Sequence, residues 1–195
     1  MPPNAAKEIA TLQQLYHTLD ELYRGIEHDC AACKDPDCMG YIWLMKQEVE
    51  PMYEAGIPLV QLNKGPVFIH SFPQNEDGTL KLSARYPVCS QQCTTSRRCT
   101  IHENRPLVCR LYPIGLETTQ EGMITWALHR DCLFARNIEK NNQLAVFTHK
   151  ANAILEHLSP KLLGEILEMY REVDAITHYP FGENNYYPLK EICRV

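Results

Sequence analysis

The chain has 195 residues, enough for one domain, or one domain with a helical extension, and for a core that forms without cross-links. Nineteen basic residues against twenty-four acidic ones leave a net charge of −5, which argues against a dedicated nucleic-acid binder. Its nine cysteines fall below the ~8–10% that marks a small secreted disulfide scaffold.

The N-terminus, MPPNAAKEIATLQQLYHTLDEL, is polar and periodic and lacks the apolar run of a signal peptide. No stretch approaches the ~18 apolar residues needed to span a bilayer. A cytoplasmic location and no membrane association are the expectation. In that compartment clustered cysteines more often bind metal or do chemistry than form bridges.

Residues 4–28 read as one amphipathic helix, with Ile9, Leu12, Leu15, Tyr16, Leu19, Leu22, Tyr23 and Ile26 on one face. HDCAACKDPDCMG follows as an irregular loop, marked by Asp35-Pro36-Asp37 and Gly40. LMKQEVEPMYEAG predicts a short helix that ends near Gly56, with Pro51 limiting its length. PLVQLN and GPVFIHSF predict two extended runs around Lys64-Gly65, and NEDGTLKLS carries an Asp77-Gly78 hairpin signal.

After the cysteine-rich stretch, LYPIGLE and GMITWALH flank TTQE as a second hairpin. LFARNIEKNNQLAVFTHKANAILEHL is helically periodic. Ser159-Pro160 then supplies the N-cap and first residue of another helix, KLLGEILEMYREVDAI. The tail, THYPFGENNYYPLKEICRV, reads as irregular. The expected fold class is α+β, with short antiparallel strands and metal-clamped cysteine loops between N- and C-terminal helices. Expected segments are a helix over 1–28, a cysteine-cluster metal-binding domain over 29–135, and helices and tail over 136–195.

The stretch CSQQCTTSRRCTIHENRPLVCRLYP holds four of the nine cysteines. Across the chain they group as Cys30, Cys33 and Cys38; then Cys89, Cys93, Cys99 and Cys109; then Cys132, with Cys193 apart as a free thiol. Cys30-x2-Cys33 is the tight spacing by which two thiolates grip one metal. Eight thiolates suffice for two four-sulfur sites, and all-thiolate coordination selects zinc or an iron–sulfur cluster over magnesium, calcium or copper(II). The single arrivals of Cys99, Cys109 and Cys132 tilt the reading toward iron–sulfur.

Four thiolates around a dication leave a net charge of about −2, which partial burial makes costly unless cations sit nearby. Arg97, Arg98, Arg105 and Arg110 adjoin the cysteines and could supply that compensation, although a solvated loop is the alternative for Arg97 and Arg98. Arg105-Pro106 fixes the turn that presents Cys109. His28, His102 and His129 stand at ligand-compatible spacing, but a lone histidine is more often a hydrogen-bonded surface or core residue.

CTIHENRPLVCRLYP, preceded by Cys30-x2-Cys33 and followed by Cys132, resembles the bacterial cysteine-cluster proteins with a zinc- or iron-chelating domain, named for a CxxCxxCC signature (YkgJ-like). The resemblance rests on Cys99, Ile101, Arg105, Pro106, Cys109, Arg110, Tyr112 and Pro113, and it spans roughly residues 30–135. Two departures stand out: Cys38 is displaced and no adjacent cysteine pair is present, and His102 replaces a tyrosine. Either Cys89 or Cys93 could correspond to the family's cysteine before Cys99. Flagellin lysine N-methylases, much longer chains that use S-adenosylmethionine, are relatives. This sequence has no glycine-rich strand–turn–helix for such a cofactor, and no G-x-S-x-G or H-E-x-x-H motif.

The expectation is a metal-binding protein holding zinc or an iron–sulfur cluster. Cys30, Cys33, Cys99, Cys109 and Cys132 are its first candidate ligands, Cys38, Cys89 and Cys93 its second, with Arg105 and Arg110 beside the centre. The long helices would then act as a scaffold or meet a protein or peptide partner. Two alternatives stand beside it: an enzyme modifying a protein or peptide side chain by methylase-like or redox chemistry, and metal storage or delivery.

Overall fold

The computed structural model describes residues 8–25, 29, 42–61, 64–71, 89–93, 95–96, 98–177 and 185–194. The chain is α+β, with helices and two small antiparallel sheets. Among the described residues no helix is long and apolar enough to cross a membrane. Two compact units divide it: one comprises Met1–Ile26, Leu111–Glu168 and Phe181–Val195, the other Glu27–Arg110 and Met169–Pro180. The boundary after Arg110 therefore falls inside the expected 29–135 segment.

In the first unit, helix α1 spans Leu12–Leu22, not 4–28. A capping box explains the later start: Gln14 N donates to Thr11 Oγ1 at 3.3 Å, and Thr11 N donates back to Gln14 Oε1 at 3.2 Å. Ile9, expected on the helix, is instead extended. Its N–H donates to the His157 carbonyl at 2.7 Å and its own carbonyl accepts from Ser159 N at 2.9 Å. The apolar stripe survives in part, with Leu15, Leu19 and Tyr23 buried.

The hairpin of β3 (Ile114–Thr118) and β4 (Met123–His129) forms as its sequence indicates, with Gly122 in the left-handed region at φ 76°. Trp126, Ile124 and Leu128 of β4 are fully buried. A third strand, β5 (Tyr186–Arg194), pairs with β4 where an irregular tail was expected. Its period-2 signal is broken by two register shifts against β4, so exposure recurs at every third residue. Pro188 is tolerated because β5 lies at a sheet edge.

The long periodic stretch after Cys132 is two helices, not one: α4 (Leu133–Lys140) and α5 (Leu144–Glu156). Asn142 breaks them by taking φ 57°, a conformation asparagine enters more readily than most residues. Phe134 and Phe147 then meet Tyr23 as an aromatic cluster, with centroids 5.2–6.0 Å apart. Helix α6 (Pro160–Thr177) starts as its sequence indicates, with Leu162 N donating to Ser159 Oγ at 3.2 Å. Its residues up to Glu168 count with the first unit and those from Met169 onward with the second.

The described residues of the second unit include a helix and a two-stranded sheet. Helix α2 (Lys46–Glu54) is short and ends near Gly56 as expected; it passes through Pro51, forgoing one i→i−4 bond, and Ala55 N donates to the Pro51 carbonyl at 3.1 Å. Gly56 closes the helix at φ 72°. The two expected extended runs form strands β1 (Leu59–Gln61) and β2 (Val67–Ile69), which pair antiparallel. Leu44 N also donates to the Val67 carbonyl and Ile69 N to the Ile42 carbonyl, each at 2.9 Å, so residues 42–44 line the other edge of β2. Ile42, Leu44, Met52, Ile57, Ile69 and Cys89 form the core here. The Asp77-Gly78 turn lies outside the described residues.

Candidate metal centre

A hydrogen bond from Ser90 N to the His70 carbonyl, 3.1 Å, ties the cysteine-rich segment to the end of β2. The chain then folds back on itself. Gln92 pairs with Cys99, Cys93 N donates to the Arg98 carbonyl at 2.8 Å, and Thr100 N donates to the Gln91 carbonyl at 2.8 Å. Cys89, Cys93 and Cys99 are thereby carried on one tight loop. A 3-10 turn over His102–Asn104 and helix α3 (Leu107–Leu111) follow, and α3 carries Cys109. Cys109, Val108 and Ile101 pack against the core that contains Cys89.

Each sulfur of this loop faces backbone N–H donors a short way along the chain. Gln91 N donates to Cys89 Sγ at 3.4 Å and Ser96 N to Cys93 Sγ at 3.4 Å; the Ile101 N–H does the same for Cys99. Such bonds favour the thiolate. Burial opposes them at Cys89, pushing its thiol up, and the neighbouring Cys99 adds to that rise. Cys99 is likewise raised by burial, against the pull of the Ile101 N–H and of Arg105. Cys93 is lowered, chiefly by the Ser96 hydroxyl and then by the Ser96 and Thr95 N–H groups.

The arginines divide in role. Arg105 exerts its charge on Cys99 while its Nε donates to the His102 carbonyl at 2.9 Å. Arg110, buried, turns back on the loop: Nε donates to the Arg105 carbonyl at 2.8 Å and Nη2 to the Glu103 carbonyl. Its guanidinium thus organises the backbone between Cys99 and Cys109.

Other candidates fall elsewhere. Cys132 is the buried N-cap residue of α4 and Cys193 lies on β5, both in the first unit. His129, also there, ends β4 with Nε2 3.2 Å from Glu117 Oε1 and its ring stacked on Tyr112. Burial holds it below the ordinary histidine range, against the opposing pull of Asp131. His102 is half exposed beside Glu103, and burial followed by Arg105 lowers it. Cys30, Cys33, Cys38, His28 and Arg97 lie outside the described residues. No disulfide joins the described cysteines. Among the described residues, no group of three or more His, Cys, Asp or Glu side chains is placed to hold a metal ion.

Two residues that the cysteine spacing did not single out belong to this region. Gln92 Nε2 is buried without a hydrogen-bond partner among the described residues. Glu48 of α2 is a buried carboxylate whose Oε1 accepts from Leu107 N at 2.6 Å. Comparison with models of protein families, with curated proteins and with solved structures finds no match for the chain.

Proposed function

We propose that the protein binds metal through clustered cysteines, as zinc or an iron–sulfur cluster, using sulfurs of Cys89, Cys99 and Cys109 together with Cys30, Cys33 and Cys38. The observation that carries the reading is the repeated N–H···S arrangement. Cys89, Cys93 and Cys99 lie in one loop, each with a nearby backbone N–H aimed at its sulfur. A buried thiol with such a donor is a poor acid alone, yet it becomes a satisfied thiolate once a cation replaces its proton.

Two further features suit that donor set. Leaving a buried amide N–H without an acceptor costs about 1–3 kcal/mol, and the Gln92 amide beside these cysteines is such a donor. Anionic sulfur is an acceptor it could use. Arg105 supplies positive charge at Cys99. Cysteines that arrive singly favour a cluster over zinc. Cys132 stands in the other unit, and the reading does not depend on it.

The test is elemental. Protein purified without oxygen is assayed for zinc, iron and acid-labile sulfide per chain, and its visible spectrum is recorded. A brown, sulfide-containing preparation removes the zinc reading, and a colourless one with stoichiometric zinc removes the cluster. Neither metal, under conditions that keep the thiols reduced, overturns the proposal.

A further inference from the structure

Helix α3 has five residues, too few to be stable without outside support. Its first N–H, that of Leu107, is held by a side chain 59 positions away in sequence: Glu48 Oε1, at 2.6 Å. The other carboxylate oxygen, Oε2, accepts from Met45 N at 2.7 Å and so completes one turn at the start of α2. Glu48 is only 6% exposed. One buried anion therefore joins the beginnings of two helices, and the second of them carries Cys109. Within α3, Cys109 N and Arg110 N both donate to the Pro106 carbonyl at 3.0 Å. The Cys109 sulfur is thus placed by a backbone whose origin Glu48 fixes.

We propose that Glu48 is a positioning residue for the metal centre, setting the place of the Cys109 sulfur through the Leu107 N–H without touching the metal itself. The inference rests on the cysteine-metal reading above. Both carboxylate oxygens are engaged as acceptors. A glutamine would offer one oxygen and one NH2 group, and the NH2 would confront a second N–H, leaving it unpaired. Glu48→Gln keeps the size of the side chain and the number of sulfurs, and disturbs its bonds to Leu107 N and Met45 N.

The test is a cobalt(II) titration of metal-stripped, reduced protein, followed by the near-ultraviolet sulfur-to-cobalt charge-transfer band. Substituting groups that orient metal ligands typically costs about 10–100-fold in metal affinity. Glu48→Gln should therefore bind cobalt about ten-fold or more weakly, with an altered band. Met52→Ala serves as the control: it loosens the same core from the same helix but breaks no bond to α3. Because Cys89 lies in that core and Cys109 packs against it, its affinity should fall too, but by less than that of Glu48→Gln. Equal losses in the two variants would reduce Glu48 to a structural role and overturn the proposal, and so would an unchanged Glu48→Gln.

Wild-type protein supplies a readout that does not depend on a variant folding. If the Glu48–Leu107 bond favours metal, metal must favour the bond. Amide exchange at Leu107 should slow when cobalt is added, and unchanged exchange would overturn the proposal. A wild type that shows no charge-transfer band and carries neither zinc nor iron and sulfide in the elemental assay would instead defeat the metal reading, so the two failures are distinguishable.

Discussion

Cys89, Cys93 and Cys99 share one loop yet differ as acids. Burial raises the first and the third, whereas the Ser96 hydroxyl and two backbone N–H groups lower Cys93, which is half-buried. A lowered pKa means that more thiolate is present at any pH below the ordinary thiol value, so the reaction–pH curve moves to lower pH. The accompanying loss of intrinsic nucleophilicity offsets this only in part. In metal-stripped protein, iodoacetamide should therefore modify Cys93 first, with a rate midpoint below that of a free thiol. Cys89 and Cys99 should follow only at higher pH. Peptide mapping by mass spectrometry over a pH series reads the order; Cys89 reacting ahead of Cys93 would contradict the placement of these side chains. The cysteines stood out in the sequence by residue type and spacing alone. Glu48 did not: its partner is 59 residues away, and a glutamate at the third position of a helix reads as an ordinary cap.

Helices α1 and α6 and the β3–β4 hairpin could be read from local signals, because their caps and turns lie within a few residues of the elements they define. Thr11-x-x-Gln14 even marked the true start of α1, although the periodicity of Ile9 suggested an earlier one. What escaped depended on distant contacts: β5 needs β4 to exist, and its register shifts erase alternation. The sheet carries one further constraint that only three-dimensional contact reveals. A Cβ at Gly115 of β3 would lie 2.7 Å from His129 Nε2, so the glycine makes room for the ring that stacks on Tyr112. Gly115→Ala should destabilise the protein by ~1–3 kcal/mol, as overpacking usually does. In a His129→Ala background the same change should cost far less, because the clash is gone. Urea denaturation of the four proteins in this cycle measures the coupling. Additive losses would mean that the ring and the glycine do not compete for space.

The two units draw on unequal resources. The first has a three-stranded sheet with a seven-residue central strand, flanking helices and an aromatic cluster. Among its described residues the second has a sheet of two three-residue strands, together with α2, α3 up to Arg110 and the end of α6, and a two-stranded sheet is marginal in water by itself. A sheet that small gains from a ligand that binds only the folded form, since the binding energy then adds to folding energy. If the chain holds metal as proposed, stripping it should therefore affect the chain unevenly. Hydrogen exchange followed by mass spectrometry, with and without metal, should show peptides covering 42–61 and 89–110 losing protection. Peptides covering 114–129 and 144–156 should retain theirs. Exchange that rises equally in both sets would mean that the metal stabilises more than the cysteine loop and its small core. Exchange unchanged in both would mean that metal-binding energy does not contribute to folding this unit, leaving the weak sheet stabilised by packing alone.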